Sequence, residues 1–260
     1  MAQQLPAGAL ALIPVSGLPM IAAGDDLAGL IVVAAGGPQV WQTGDILVVA
    51  QKVVSKAEGR TVDLTGVDPS PRALELAAAT GKDSRLVELI LQESREVVRT
   101  RPGLIVVEDT RGFICANAGI DRSNIEQHGD DDETVALLPL DPDASAAEIR
   151  RRVLTLTGAD IGVIINDSHG RAFREGTVGV AIGLSGTPAL WDRRGDADLT
   201  GYTLQHTVIA IGDEIAAAAS LLMGPAAEGI PAVIVRGLLL PAGESSAREL
   251  QRPRSMDLFR

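Results

Sequence analysis

One stretch of the sequence, INDSHGRAFR, places an acid, a hydroxyl and two arginines directly after a long apolar run. Asp167 and Ser168 offer oxygen atoms of the kind that Mg²⁺ and Mn²⁺ bind. Arg171 and Arg174 can form paired hydrogen bonds to phosphate or carboxylate oxygens. His169 could be a ligand or an acid/base group, but it is most simply a solvated loop residue. The pattern favours a metal or phosphate site at the end of a strand. The alternative is a turn in which Asp167 pairs with Arg171.

Two lysines four residues apart form the second candidate. Lys52 and Lys56 belong to QKVVSK, which follows the apolar run ILVVA, and the chain contains one other lysine, Lys82. If the segment stays extended, Lys52 and Lys56 lie on the same side of it, because side chains alternate along a strand. Two ammonium groups on one side repel unless an anion lies between them, so the pair predicts a phosphate site. A solvated strand end is the alternative.

A third candidate, NAGIDRSN, is a glycine-containing turn with several short, oxygen-bearing side chains. Asn117, Asp121, Ser123 and Asn124 could bind a hard divalent cation. Side chains of these types also bond to their own backbone in ordinary Asx turns. The residues alone leave both interpretations open.

Composition and missing motifs exclude several classes of protein. The formal net charge of −11 argues against non-specific nucleic-acid binding, which needs a basic surface. A single cysteine, Cys115, excludes an intrachain disulfide framework. The sequence contains no GxxxxGK(S/T), CxxC, HExxH or GxSxG motif, so any nucleotide site must be built without a P-loop. No stretch reads as a signal peptide or a membrane span, and we expect a cytoplasmic protein without membrane or nucleic-acid partners.

Apolar periodicity predicts a mixture of helices and strands. Helices are predicted at residues 24–35, 70–81, 84–99 and 213–224, and after LLPLDP with Asp143 or Ser145 as the N-cap. Strands are predicted at residues 9–15, 44–56, 104–109, 113–119, 161–167, 178–186, 188–192 and 230–238. The strands at 104–109 and 113–119 are expected to form one hairpin, and those at 178–186 and 188–192 another. Tight turns mixed with helices favour an α+β fold over a Rossmann alternation.

Seven blocks in a fixed order give the chain a family resemblance over residues 9–240. Among them are GDILVVAQKVVSKAEGR, NAGIDRSN, INDSHGRAFREGTVGVAIG and LLMGPAAEGIPAVIVRGL. Together the blocks resemble the coenzyme F420-0:L-glutamate ligase family, the F420 gamma-glutamyl ligases. The resemblance implies a two-lobed, mixed-sheet α+β fold without a P-loop and a homodimer. It places one ligase domain of two intertwined lobes at residues 1–241, and we expect a loosely held tail at 242–260.

The resemblance also implies an activity. Ligases of this family use GTP and two divalent metal ions, Mg²⁺ or Mn²⁺, to join L-glutamate to coenzyme F420-0, and K⁺ is a further candidate cofactor. Further glutamates are then added through the gamma-carboxylate. The chemistry suggests an acyl phosphate, because a free carboxylate acylates poorly. A ligase acting on dehydro-F420-0, a metal-dependent phosphohydrolase and a non-catalytic nucleotide-binding module remain alternatives.

Site residues follow from the resemblance position by position. The implied metal ligands are Asp121, Asp167, Ser168 and the carbonyl of Gly224. The implied nucleotide contacts are Leu18, Pro19, Met20, Ile21, Gln51, Lys52, Lys56, Asn124, Leu222, Met223, Gly224, Pro225, Ala226, Ala227, Glu228 and Gly229. Arg171 and Arg174, with the two lysines, are the cations that could offset charge during catalysis.

The chain departs from the family pattern at a few positions. It reads NDSHGR where typical members read TDTxGR, although Ser168 keeps the hydroxyl. Gln51 and Lys52 stand where serine and threonine are frequent, so Lys52 adds a charge. The late loop GPAAEG carries Pro225 and alanines in place of glycines, which makes its backbone stiffer.

Overall fold

Helices and strands are mixed along the whole chain in the computed structural model, which describes residues 8–123, 125, 133–241 and 243–257. The helices are α1 (Leu27–Ala34), α2 (Gln51–Ala57), α3 (Pro71–Thr80), α4 (Ser84–Gln92), α5 (Pro142–Thr157) and α6 (Ile211–Met223). The strands are β1 (Ala11–Val15), β2 (Ile46–Ala50), β3 (Thr61–Asp63), β4 (Ser94–Arg101), β5 (Leu104–Asp109), β6 (Ile114–Ala116), β7 (Thr134–Ala136), β8 (Gly162–Arg171), β9 (Arg174–Ser185), β10 (Trp191–Asp192), β11 (Val208–Ile209) and β12 (Ala232–Arg236). This architecture confirms the predicted α+β class.

A five-stranded mixed sheet in the order β1-β12-β2-β8-β9 forms the centre of the molecule. β2 and β8 are parallel, and the other neighbouring strands are antiparallel. Leu47 and Val49 pack into a core on one face of the sheet, and Ile46 and Val48 pack into a core on the other. The run ILVVA is apolar at every position because both faces of its strand are covered.

Helices cover the two faces of this sheet. α1 contributes Ile31 and α5 contributes Val153 to one core, whereas α6 contributes Ile215 and Ala219 to the other. α1 begins after its N-cap Asp26, whose carboxylate accepts a hydrogen bond from the Gly29 N–H at 3.1 Å. Among the described residues, no helix has the length and apolar character needed to cross a bilayer.

A smaller sheet, β4-β5-β6, packs against α3 and α4. β5 and β6 form the predicted hairpin, with Val107 opposite Cys115. The sequence predicts a helix over 84–99, but α4 ends at Gln92 and the residues from Ser94 pair with β5. The helical prediction is wrong there because SREVVRTR contains β-branched residues, and pairing with a neighbouring strand decides its conformation.

Two further local predictions are wrong. The sequence predicts an extended lysine segment over 51–56, but this segment forms α2 directly after β2. The sequence also predicts a hairpin between 178–186 and 188–192, whereas β9 pairs with β8 and β10 pairs with β11. In the second case the strand partner is chosen by contacts distant in the chain, which a local pattern does not reveal.

Ser246 and Ala247 of the C-terminal tail are anchored, although the tail is expected to be loosely held. Asp143 accepts hydrogen bonds from the Ser246 hydroxyl at 2.6 Å and from the Ala247 N–H at 3.1 Å. Ala247 is buried in the core beside α6. The N-cap of α5 is Asp141, not Asp143 or Ser145, and this leaves the Asp143 carboxylate available to hold the tail.

Candidate active site

A cavity of about 800 Å³ opens where β2 ends and β8 emerges from the core. These strands are parallel and pair Ala50 with Asn166, so the segments that follow emerge at the same edge of the sheet. Ligands commonly bind at this edge, outside the carboxyl ends of parallel strands. Gln51 and Lys52 come from the first segment and Asp167 from the second, and all three line the cavity.

The two lysines of α2 lie one helical turn apart, and both line the cavity. Residues four apart share a helix face, so Lys52 and Lys56 converge although the segment is helical and not extended. The Lys52 Nζ donates to the Ser123 Oγ at 2.6 Å and lies 2.8 Å from the Asp121 Oδ2. The lysine side of the cavity is therefore joined to the NAGIDRSN turn.

Asp121 lies in that turn and lines the same cavity. Its carboxylate accepts hydrogen bonds from the Ser123 N–H at 2.8 Å and the Ser123 hydroxyl at 3.1 Å, so the Asx turn of the alternative interpretation is present. Burial raises the pKa of Asp121, but hydrogen bonds from Lys52 and Ser123 outweigh it, and the net pKa is lowered. The carboxylate is thus ionised at neutral pH and could also bind a cation. Asn117 does not line the cavity, and Asn124 is outside the described residues.

Asp167 and Ser168 line the cavity from β8. A bulge at Ile182 of β9 shifts the strand register beside them, and bulges of this kind redirect side chains next to functional sites. The Asp167 Oδ2 lies 2.9 Å from the His169 Nε2, whereas Arg171 donates to a backbone carbonyl. Among the described contacts, the Asp167–Arg171 ion pair is not formed, and His169 is a strand residue with a carboxylate neighbour, not a solvated loop residue.

Arg171 and Arg174 face each other across the two-residue turn of the β8–β9 hairpin. Both are exposed and neither lines the cavity. The Phe173 side chain between them is 88% exposed, and the Arg171 guanidinium donates to the Glu175 carbonyl at 3.1 Å. These two candidate catalytic residues therefore lie at a hairpin tip outside the cavity.

The described residues that the resemblance assigns to the nucleotide divide into two groups. Those that line the cavity are Leu18, Pro19, Met20, Ile21, Gln51, Lys52, Lys56, Met223, Gly224, Pro225, Ala226, Ala227 and Gly229. Leu222 and Glu228 do not line it. Gly224 follows the last residue of α6 with a φ of 64°, a backbone conformation that glycine adopts without strain. The helix therefore ends at the edge of the cavity.

Apart from Met223, the part of the cavity wall that β9 and α6 supply was not predicted from the sequence. Thr177, Val178, Gly179 and Ser220 line this wall. Asn166 lines the cavity as well, and its Nδ2 donates to the Ser220 Oγ at 3.2 Å, while its buried Oδ1 has no partner among the described residues. Of these residues, only Asn166 could have been predicted from the sequence. It is a polar residue directly after an apolar run, and such a residue marks the point where a strand leaves the core.

The oxygen donors at the cavity suit a hard divalent cation whose coordination is completed by a substrate. Asp121 and Asp167 supply carboxylates, Ser168 supplies a hydroxyl, and Gly224 supplies a carbonyl. Within the described ranges, no group of three or more His, Cys, Asp or Glu side chains could hold a metal by itself. Mg²⁺ is commonly held by one or two carboxylates together with substrate phosphates. The residues present fit a cation that binds with a phosphate ligand.

Comparison with known families identifies the chain. The family described as F420-0:Gamma-glutamyl ligase matches residues 17–237. The chain belongs to the F420-0:gamma-glutamyl ligase family. Every residue that lines the cavity lies inside the matched range, so the candidate site belongs to the part of the chain that the F420-0:gamma-glutamyl ligase family shares.

Relatives in the F420-0:gamma-glutamyl ligase family match nearly the full length of the chain. Coenzyme F420:L-glutamate ligase of Methanothermobacter thermautotrophicus is 49% identical over 256 residues, which cover 96% of this chain and 99% of the relative. The enzyme of the same name from Methanopyrus kandleri is 51% identical over 241 residues, covering 91% and 92%. The one from Archaeoglobus fulgidus is 49% identical over 247 residues, covering 95% of both chains.

Proposed function

We propose that this protein is a GTP-dependent ligase that joins L-glutamate to coenzyme F420-0 through an amide and then adds further glutamates through the gamma-carboxylate. The main support is the cavity, in which Lys52 and Lys56 lie with the oxygen donors Asp121, Asp167 and Ser168. Such side chains suit nucleotide phosphates and a divalent cation. The family and the names of its relatives support the acceptor and the amino acid.

The proposed reaction has two steps. A carboxylate oxygen of F420-0 attacks the γ-phosphorus of GTP, and the bond between that phosphorus and the GDP oxygen breaks. The glutamate amine then attacks the acyl carbon of the acyl phosphate, the amine loses a proton, and inorganic phosphate leaves. Phosphoryl transfer depends on positioning and on balancing negative charge more than on covalent participation by the protein.

The side chains around the cavity have distinct proposed roles. The two lysines of α2 bind nucleotide phosphates as point charges. Asp121 and Asp167 would hold Mg²⁺ or Mn²⁺, with the Ser168 hydroxyl and the Gly224 carbonyl as further ligands, and K⁺ is a third candidate. When bound, two such ions neutralise charge on the phosphates. In this proposal, the negative charge that Asp121 and Asp167 bring to the cavity is balanced by the cations that they bind.

Two parts of the proposal rest on the family resemblance more than on the cavity. Arg171 and Arg174 would act in catalysis only if the tip of the β8–β9 hairpin reaches bound substrate. A homodimer is the proposed assembly. Light scattering should then give twice the 27.0 kDa mass of one chain, and a mass of a single chain would refute the dimer.

A product assay tests the proposed reaction. The protein is incubated with F420-0, GTP, Mn²⁺ and L-glutamate, and the products are identified by mass spectrometry together with GDP and phosphate. We expect F420-0 to gain one or more glutamyl units, with GDP released over many turnovers only when both glutamate and the acceptor are present. A parallel reaction with dehydro-F420-0 reveals whether that acceptor is preferred.

Other results would contradict the proposal. Phosphate release that does not depend on glutamate would favour a phosphohydrolase. Binding of GTP without turnover under any of these conditions would favour a nucleotide-binding module. Replacing GTP with ATP in the same assay measures the nucleotide preference directly.

A further inference from the structure

Lys52 forms an ion pair with the carboxylate of Asp121, which the proposed metal site needs as a ligand. Its ammonium group lies 2.8 Å from the Asp121 Oδ2 and donates to the Ser123 Oγ at 2.6 Å. The Lys52 side chain is 18% exposed and the Asp121 side chain 43% exposed. The ammonium is therefore seated between two oxygen atoms at the edge of the cavity, in a position that resembles that of a bound cation.

An ammonium and a divalent ion on the same carboxylate repel each other. A Mg²⁺ or Mn²⁺ ion on the Asp121 carboxylate would lie within a few ångströms of the Lys52 Nζ, given the 2.8 Å contact. Like charges at such a distance interact strongly, and more so where the site is partly shielded from water. A cation can therefore bind Asp121 well only if Lys52 moves away.

The cavity offers Lys52 another partner when a nucleotide is present. Lys52 lies on the same face of α2 as Lys56, and both line the cavity that the proposed nucleotide would enter. A lysine side chain has a flexible four-carbon stem, so its ammonium can exchange a carboxylate for a phosphate oxygen without moving the helix. A bound phosphate would thus draw Lys52 away from Asp121.

We propose that Lys52 competes with the divalent cation for Asp121, and that a nucleotide phosphate relieves this competition by taking Lys52. Lys52 is then a positioning residue that makes cation binding depend on nucleotide binding. The inference rests on the proposed metal site at Asp121. It assigns Lys52 a role beyond contact with the nucleotide, because it predicts an effect on metal binding when no nucleotide is present.

Mn²⁺ binding to the nucleotide-free protein tests the competition. Free Mn²⁺ is measured by its electron paramagnetic resonance signal during titration of the wild type and of Lys52→Met, with Lys52→Gln as a second variant. Coupling between two binding events is typically 5–150-fold, and we expect the Mn²⁺ affinity to rise about tenfold in both variants. The matched control is Lys82→Met, which removes the same charge outside the cavity and should leave the affinity unchanged.

The variant Asp121→Asn distinguishes the proposed metal site at Asp121 from the proposed competition by Lys52. If Asp121→Asn removes Mn²⁺ binding and Lys52→Met strengthens it, both the metal site and the competition are supported. If Asp121→Asn removes Mn²⁺ binding but the Lys52 variants bind as the wild type does, the competition is wrong and the proposed function stands. If adding Asp121→Asn to Lys52→Met leaves the Mn²⁺ affinity of Lys52→Met unchanged, Asp121 is not a metal ligand, and the metal site and the inference are lost together.

The second half of the inference concerns the phosphate. GDP binding is measured by calorimetry in the presence of a chelator, so that no divalent ion contributes. We expect Lys52→Met to weaken GDP binding several-fold relative to Lys82→Met, because the phosphate loses the ammonium that it draws from Asp121. Equal GDP affinities in the two variants would show that phosphate does not recruit Lys52, and would overturn the coupling.

Discussion

Asp121 and Asp167 differ in how the protein balances their charge. Asp121 is in contact with the Lys52 ammonium group. Asp167 is in contact with His169, which carries a charge only when it is protonated. Asp121 therefore has a lysine as its charge partner and Asp167 has a histidine, so we expect the two carboxylates to respond differently to substitution.

The first prediction follows for Asp167→Asn. The amide keeps the size of the side chain but removes the charge, so we expect the ligation rate to fall on the order of 100-fold at saturating Mn²⁺. The melting temperature should stay close to that of the wild type, because Asp167 is at the cavity and not in either core. Steady-state kinetics and a thermal melt measure the two effects. Asp196→Asn, at an exposed ion pair with Arg193, is the control and should change neither.

The second prediction concerns Asp83, the N-cap of α4. Hydrogen bonds from the Arg85 side chain and backbone lower the pKa of Asp83 from 3.8 to about 2, against the raising effect of burial. Because its folded pKa is lowered, Asp83 stabilises the fold above pH 4, and the stabilisation is lost as the pH falls from 4 towards 2. We expect Asp83→Ala to cost about 1 kcal/mol at pH 6, as loss of an N-cap does.

The pH dependence of that cost is the decisive measurement. Urea midpoints of the wild type and Asp83→Ala are compared at pH 6, 4 and 3. The gap between the two midpoints should narrow as the pH falls below 4, since the Asp83 carboxyl of the unfolded chain becomes protonated before that of the folded protein. A gap that stays constant down to pH 3 would show that the ion pair between Asp83 and Arg85, 2.6 Å apart, does not stabilise the fold.

At the scale of elements, the convergence of Lys52 and Lys56 in α2 was predicted correctly although the predicted extended conformation was wrong. The sequence predicts an extended segment, in which Lys52 and Lys56 share a side because their offset is even. The segment is a helix, in which the same offset of four also places them on one face. A spacing of four thus predicts convergence in either conformation, but it does not predict the contact with Asp121, which depends on how the NAGIDRSN turn packs.

The third prediction concerns the packing of β9 on α6. A Cβ atom at Gly179 would lie 1.9 Å from the Ser220 Oγ, 2.6 Å from the Asn166 Oδ1 and 2.8 Å from the Ala216 carbonyl oxygen. The backbone carbonyl cannot rotate away, so Gly179→Ala must push strand and helix apart. We expect a loss of about 1–3 kcal/mol in the free energy of unfolding and weaker GDP binding, because both elements line the cavity.

Gly170→Ala is the matched control for this packing. Gly170 belongs to β8, which pairs with β9, and a Cβ atom there would meet nothing within 4 Å. Urea unfolding should therefore give nearly the same midpoint for Gly170→Ala as for the wild type. If Gly170→Ala and Gly179→Ala lowered the midpoint equally, a general loss of strand geometry, and not the contact with α6, would explain the effect.

At the scale of the whole molecule, the sequence predicts what depends on local pattern and misses what depends on distant pairing. The apolar run of β2 predicts a buried strand correctly, because burial on both faces leaves a continuous pattern. The bulge at Ile182 leaves no comparable mark, since it arises only when β9 pairs with β8. Asp121 and Asp167 can each be chosen from their residue types, but their meeting at one cavity depends on how the NAGIDRSN turn packs beside α2, which no local pattern reveals.

The last prediction tests whether the tail helps to hold the molecule together. Asp143 of α5 accepts hydrogen bonds from the Leu184 N–H of β9 at 2.9 Å, and from Ser246 and Ala247 of the tail. Asp143→Ala leaves these donors without an acceptor, and we expect a loss of about 2–3 kcal/mol in urea unfolding. Glu148→Ala removes an exposed carboxylate from the same helix and should unfold at the wild-type midpoint. Equal midpoints for all three proteins would mean that the tail does not stabilise the sheet.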